Sequence, residues 1–396
     1  MTISSQPGSI ADPPSRVPLS RIAREWTRIG ITGFGGPPAH IELLRELVVA
    51  RERWMTPGEF QDAIAACNLL PGPASTQLAI YCARRLGGIA GALVGGFAFI
   101  TPAVVLMLAL SALFLARSPP GWIRGAGAGA GAAVAAVAVR AGLGLAGPSW
   151  RRLAHQIPRR VRWLIYALLG GAGAALVGPY LVLVLLGCGA AELAVRAAGR
   201  RQALVSWLPL LPVASARVGS LGALAWVAVK VGALSFGGGF VIVPLMQRDA
   251  VHTYHWMTAT AFLSAVALGQ VTPGPVVATV AAVGYAARGL GGGLLAAAIA
   301  FTPSFLLVLA GGTHFERLRG DRRAQAFLDG AGPAAVGAIL GAAIPLSQAL
   351  VETWQFVVLA AAAGAVLLAR RGVVSTLVAA GVVGAIVGLT GGPLPH

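Results

Sequence analysis

Two tripeptides, Pro71-Gly72-Pro73 and Pro273-Gly274-Pro275, interrupt apolar sequence of a kind that otherwise builds long helices. Around the second, no Asp, Glu, Lys or Arg occurs from Ala250 to Ala287. Proline has no N–H to donate and clashes with the preceding turn, so each tripeptide frees backbone N–H and C=O groups. In hydrocarbon such groups survive only where they face protein, water or a ligand. A second kind of break stands upstream of each: Phe34-Gly35-Gly36-Pro37, and Phe236-Gly237-Gly238-Gly239. The chemistry this pattern offers is non-covalent. The N-terminus of a half-helix presents unpaired N–H groups and the positive end of a dipole, which suit an anion.

Polar residues flank the breaks in matched positions. Asn68 and Gln270 each place a carboxamide three residues before the first proline. Thr76 and Gln77 follow one break, and Thr272 and Thr279 flank the other. His40 has no histidine partner in the second half, and Glu59 and Asp62 occur only in the first. Arg28 and Lys230 each stand six residues before the phenylalanine, and Lys230 is the chain's sole lysine. Two readings stand for these features. Glycines let helices pack closely, as the run from Gly125 to Gly131 suggests, proline can be only a kink, and long cations snorkel to an interface. Paired breaks at matched positions instead point to a substrate site.

The elements that must position these residues are membrane helices. Of 396 residues, 57% are hydrophobic and 11% are charged, against the roughly 25% charged usual in soluble domains. Charge-free stretches from Gly88 to Ala116, Leu290 to Gly312, Gly330 to Val351 and Gly372 to Thr390 reach the ~20 residues a spanning helix needs. Residues 163–195 are long enough for a hairpin of two short spans. The expected fold is an all-α polytopic membrane protein. The net charge of +17 comes from arginines clustered between apolar segments, the pattern of loops retained on one side of a membrane rather than of a nucleic-acid binder. Cys67, Cys82 and Cys188 are odd in number and lack a Cys-x-x-Cys, so neither a disulfide framework nor a metal site is expected.

The chain repeats itself. Phe34 falls on Phe236 at an offset of 202 residues, and in the same frame Trp54-Met55-Thr56 falls on Trp256-Met257-Thr258 and Pro71-Gly72-Pro73 on Pro273-Gly274-Pro275. One residue of slippage later, Pro102 meets Pro303. This is a gene duplication. The expected organisation is a tail at 1–18 with no cleaved signal peptide, a first repeat at 19–198, a linker at 199–219 and a second repeat at 220–396. Basic residues crowd the loop Arg151–Arg162 in the first half, but the preceding loop, around Arg317–Arg323, in the second. If basic loops share one side, equivalent loops lie on opposite sides, which predicts inverted-topology repeats with broken helices. Arg84-Arg85 and Arg288 occupy equivalent loops and run against that assignment.

As an ordered set, "FGGPPAHI", "RWMTPGEF", "NLLPGP", "FGGG" and "TPGP" resemble the chromate ion transporter (CHR) family in its long two-domain form. The resemblance runs from about Arg21 to the end. It implies a multi-pass protein of the bacterial inner membrane that exports chromate, with no cofactor, no catalytic residue and no metal. Its motif residues here are Phe34, Gly35, Gly36, Pro37, His40, Trp54, Pro71, Gly72 and Pro73, with Phe236, Gly237, Gly238, Gly239, Pro273, Gly274 and Pro275. Gly239 stands where the first half has Pro37, so the two sites need not be equivalent. With Arg28, Asn68, Lys230 and Gln270 these make up the expected substrate-binding set. The expected partners are chromate or a sulfate-like oxyanion and the lipid bilayer, with homo-oligomers allowed and nucleic acid not. An inside-negative potential favours outward movement of a dianion by about 4.6 kcal/mol per 100 mV. Two alternatives remain, a transporter of sulfate or another oxyanion, and a membrane enzyme; no nucleophile–base pair or metal motif supports the second.

Overall fold

The computed structural model describes residues 17–68, 70–116, 119–153, 156–177, 181–198, 220–235, 239–311 and 321–395. The proposed linker and the residues Phe236, Gly237 and Gly238 lie outside these. Every described regular element is helical.

Each half opens with a helix that enters, breaks and turns back. In the first, α1 (Leu19–Thr32) precedes α2 (Pro37–Arg45), which a π turn extends through Glu46–Arg51. Ion pairs join the start of α1 to the end of that extension, Arg21 to Glu52 and Arg51 to Glu25, both at 2.5 Å. The two limbs are therefore antiparallel, and the Phe-Gly-Gly break is the tip of a re-entrant hairpin. Next, α3 (Pro57–Cys67) leads through Pro71-Gly72-Pro73 into α4 (Ala74–Phe114). Glu59 in the first turn of α3 pairs with Arg85 at 2.8 Å, and Gly72 lies midway between them in sequence. The Pro-Gly-Pro is thus a second tip.

The long helix α4 is itself two limbs. Gly88, at φ 65° and ψ −152°, reverses the chain, so that a Cβ on Gly91 would meet the carbonyl oxygen of Ala83 at 2.4 Å. The outer limb then crosses, and α5 (Gly121–Arg151), α6 (Ile157–Ala172, extended by a π turn to Val177) and α7 (Leu181–Ala198) follow.

The second half repeats this order: α8 (Ser220–Leu234), α9 (Ile242–Gln247), α10 (Ala259–Val271) and α11 (Thr279–Gly311), then α12 (Arg322–Gly341), the short α13 (Ala343–Gln348), α14 (Thr353–Ala363) and α15 (Val373–Leu389). Lys230 pairs with Asp249 at 2.5 Å across the first tip, and Gly289 repeats the reversal of Gly88 at φ 63° and ψ −156°. The helix starts also match. Thr56 Oγ1 accepts from the backbone N–H of Glu59, Thr258 Oγ1 from that of Ala261, both at 3.2 Å.

Equivalent helices run antiparallel, as an inverted repeat requires. Gly96 of α4 faces Phe305 of α11, whereas Leu108 faces Gly293, so one helix climbs as the other descends. The end of α5 at Arg152 and the start of α12 at Gln325 and Asp329 line one cavity, while Gly142 meets Leu340 farther on. Inter-half packing uses small residues. A Cβ on Gly125 would lie 2.0 Å from the oxygen of Gly384, and one on Gly129 2.2 Å from that of Ala380, seating α5 on α15. Gly127 and Gly131 turn the other way, onto Ser264 and Leu263 of α10. The Gly-Ala run is therefore a packing surface used on two faces.

Candidate functional site

The two Pro-Gly-Pro tips meet the opposite halves of the chain. Gly72, at φ +117°, approaches the carbonyl of Gly232 in α8 and the hydroxyl of Ser304 in α11. Gly274, at φ +97°, approaches the carbonyl of Gly30 in α1 and Ala103 in α4. Gly30 matches Gly232 in the repeat, and Ala103 matches Ser304, so the two arrangements are one arrangement used twice. Left-handed φ is open to glycine at little cost, and a side chain at either tip would strike its neighbour.

Carbonyls freed at the breaks are largely covered by donors. The Gly33 oxygen accepts from the Gly274 N–H at 3.1 Å and from Nε2 of His40 at 2.9 Å. A carbonyl only accepts, so Nε2 carries the proton; the neutral ring then accepts at Nδ1 from the Ser75 hydroxyl at 3.3 Å. His40 is fully buried, with its ring edge-on to Phe99 at 5.0 Å. Gln77 Nε2 donates to the Pro71 oxygen at 2.7 Å.

Uncommitted polar atoms remain beside the same tips. Thr76 Oγ1, Gln77 Oε1, Gln270 Nε2 and Ser304 Oγ are buried without a hydrogen-bond partner. Such atoms are rare and costly in a folded interior. Two hydroxyls and a carboxamide N–H among them can donate. Thr76 and Gln77 lie in the first turn of α4, which has no side-chain cap, and Ser304 faces Gly72 just before it, while Gln270 belongs to the other tip. The arrangement offers hydrogen-bond donors and a helix dipole to an oxyanion, with His40 holding the tip rather than carrying charge.

The expected site residues fall into three groups. Pro71, Gly72 and Pro73 form one tip and Gln270, Pro273, Gly274 and Pro275 the other, and His40 links the two through Ser75 and through the Gly33 oxygen that also accepts from Gly274. Gly36 and Gly239 join them, both close to Val276, and Gly35 keeps φ at +100° in its turn. Pro37 opens α2 at its first position, and Phe34 is exposed. Asn68 is exposed and lines a cavity, unlike its repeat partner Gln270, which is 7% exposed. Arg28 is exposed on α1, and Lys230 is held by Asp249 and lies over the Trp226 ring. Sequence reasoning missed Ser75 and Ser304. The repeat carried a signal for Ser304, a hydroxyl directly after Pro303 where the first half has Ala103 after Pro102.

Inverted halves, re-entrant tips and unpaired donors at their junction define a membrane transporter of the broken-helix class, not an enzyme. The chain belongs to the chromate transporter family, whose model matches residues 20–193 and 222–389. It is 31% identical to the chromate transport protein of Cupriavidus metallidurans over 401 residues, covering 98% of this chain and 97% of the relative. It is 30% identical to the chromate transport protein of Pseudomonas aeruginosa over 86% and 83% of the two chains. The probable chromate transport protein of Synechococcus elongatus is 28% identical over 83% and 85%. No solved structure matches the fold.

Proposed function

We propose that the protein exports chromate across a bacterial inner membrane, driven by the membrane potential or an ion gradient. The observation that carries this reading is the pair of Pro-Gly-Pro tips, beside which Thr76, Gln270 and Ser304 keep buried donor groups without partners. A tetrahedral dianion has acceptor oxygens for such donors, and relatives that share nearly the whole chain are chromate transport proteins. The substrate contacts are the tip residues Pro71–Pro73 and Pro273–Pro275, with Gly35, Gly36 and Gly239 shaping the turns and His40 fixing one tip. In this reading Lys230 acts through Asp249 rather than as a direct ligand.

Orientation supports export. Arg152, Arg159, Arg162 and Arg196 line a cavity on one face, and Arg370 and Arg371 lie in the loop from α14 to α15, where α14 returns toward that face. The positive-inside rule assigns this face to the cytoplasm. Movement of a dianion outward then runs down the potential.

Sulfate has the same charge and shape as chromate, and the uncommitted hydroxyls do not distinguish the two. Uptake of labelled chromate and labelled sulfate into inverted vesicles, with and without an imposed potential, tests the proposal. Potential-dependent chromate accumulation that excess sulfate leaves largely intact is the expected result. Sulfate accumulation with chromate only a weak competitor would make sulfate the substrate, and transport of neither would overturn the reading.

A further inference from the structure

A cavity of about 660 Å³ opens beside the Pro-Gly-Pro hairpin of the first half, between α3, the end of α5, α6, α7 and the start of α12. That volume is within the ~300–1,000 Å³ usual for small-molecule sites. None of its charged residues belongs to the breaks, and its loop arginines entered the sequence reading only as a topology signal. They fall into two sets.

The first set is self-contained. Glu192, 3% exposed, accepts from Arg162 at 2.7 Å, from Arg196 at 2.8 Å and from the Tyr166 hydroxyl at 3.3 Å. Arg196 also pairs with Asp329 at 2.5 Å. Two guanidinium groups and two carboxylates thus cancel. The second set is Arg152 and Arg159, which also line the cavity and form no ion pair among the described residues. The cavity therefore carries a surplus of two positive charges, the complement of a dianion. The positive-inside rule asks for basic residues in a loop, but not for a neutralised quartet in the wall and two unneutralised arginines beside it.

Asn68 also lines the cavity, three residues before Pro71. The space thus reaches the re-entrant hairpin on the side from which its limbs enter. Its counterpart on the opposite face is closed: Gln61, Ile64 and Asn68 line the cavity, whereas their repeat equivalents Leu263, Val266 and Gln270 are buried.

We propose that this cavity is a second anion site, an access vestibule in which Arg152 and Arg159 bind a tetrahedral dianion before it reaches the tips. Guanidinium groups match oxyanion geometry through paired N–H donors. A partly enclosed cleft with one sign of charge also raises the local concentration of its ligand. The direction of travel rests on the export reading; the binding site does not.

The test uses the full chain in lipid nanodiscs, with labelled chromate in equilibrium dialysis, and inverted vesicles for transport. The wild type binds two chromate ions per chain. The double variant Arg152→Gln/Arg159→Gln binds one, and its half-saturating concentration for transport rises about tenfold or more, with a flatter salt dependence. The double variant Arg152→Lys/Arg159→Lys, which keeps the charge, restores most of the binding and controls for insertion. A glutamine variant that inserts normally and matches the wild type in both stoichiometry and half-saturation overturns the proposal. If dialysis shows the arginine-dependent ion while vesicles transport neither chromate nor sulfate, the export reading fails and the vestibule stands.

Discussion

The backbone N–H of Gly274 donates to the carbonyl of Gly33 at 3.1 Å, tying the second Pro-Gly-Pro tip to the first Phe-Gly-Gly break. That single bond spans the two halves and shares its acceptor with His40 Nε2. Replacing His40 by Ala removes one donor from Gly33 and the acceptor from Ser75. The expected cost is about 1–3 kcal/mol, together with a void beside Phe99. His40→Gln, which keeps a donor and an acceptor, should recover most of the inserted protein. Thermal denaturation of the two purified variants checks the order.

Gly72→Ala and Gly274→Ala should each reduce transport more than they reduce protein level. Each forces a side chain into left-handed φ, and the Gly274 substituent would meet Ala103 Cβ at 2.6 Å. The strain is of order 1–3 kcal/mol. Pro71→Ala and Pro273→Ala should follow the same pattern, because each restores a donor where the chain must break. Transport normalised to inserted protein is the measurement; equal losses of both would return the tips to a packing role.

Lys230→Gln should destabilise the protein by about 3–5 kcal/mol, because Asp249 is buried and would lose its partner. The double variant Lys230→Gln/Asp249→Asn should regain most of that loss. Its half-saturating chromate concentration then separates two roles. An unchanged value makes Lys230 a structural partner, and a raised one makes it an attractor of the dianion as well.

Antiparallel halves place Phe97 against Phe305, with ring centroids 5.2 Å apart. The pair Phe97→Cys/Phe305→Cys should therefore cross-link with a short bifunctional thiol reagent, and Leu108→Cys/Gly293→Cys likewise. The mismatched pair Phe97→Cys/Gly293→Cys should not. Cross-linking of the mismatched pair alone would point to parallel halves. Cys67, Cys82 and Cys188 are buried, so background from native thiols should be low.

Much of the architecture is legible in the residues. The uncharged stretches beginning at Gly88 and Leu290 start at the reversals, because a glycine at positive φ ends one limb where the next apolar run begins. The inversion was visible in the arginine distribution. What local sequence does not carry is the direction taken after a break. Pro-Gly-Pro looks the same in a kinked through-helix as at the tip of a hairpin. The choice is made by contacts such as Glu59 with Arg85, whose pairing has no periodic signature. Lys230 shows the same limit. Its place before Phe236 singles it out, but no local signal announces that its partner Asp249 lies on the returning limb. Ser75 and Ser304 were missed because single hydroxyls in small-residue sequence stand out only when another segment is brought against them.

Each tip is completed by the other copy: Gly72 rests on Gly232 and Ser304, and Gly274 on Gly30, Gly33 and Ala103. In genetic terms, the two copies are obligate complements. A gene split between the codons for residues 198 and 220 would yield two polypeptides, neither of which supplies the partners of its own Pro-Gly-Pro tip. Co-expression is what would return transport, and two copies of the same fragment would lack either His40 or Ser304.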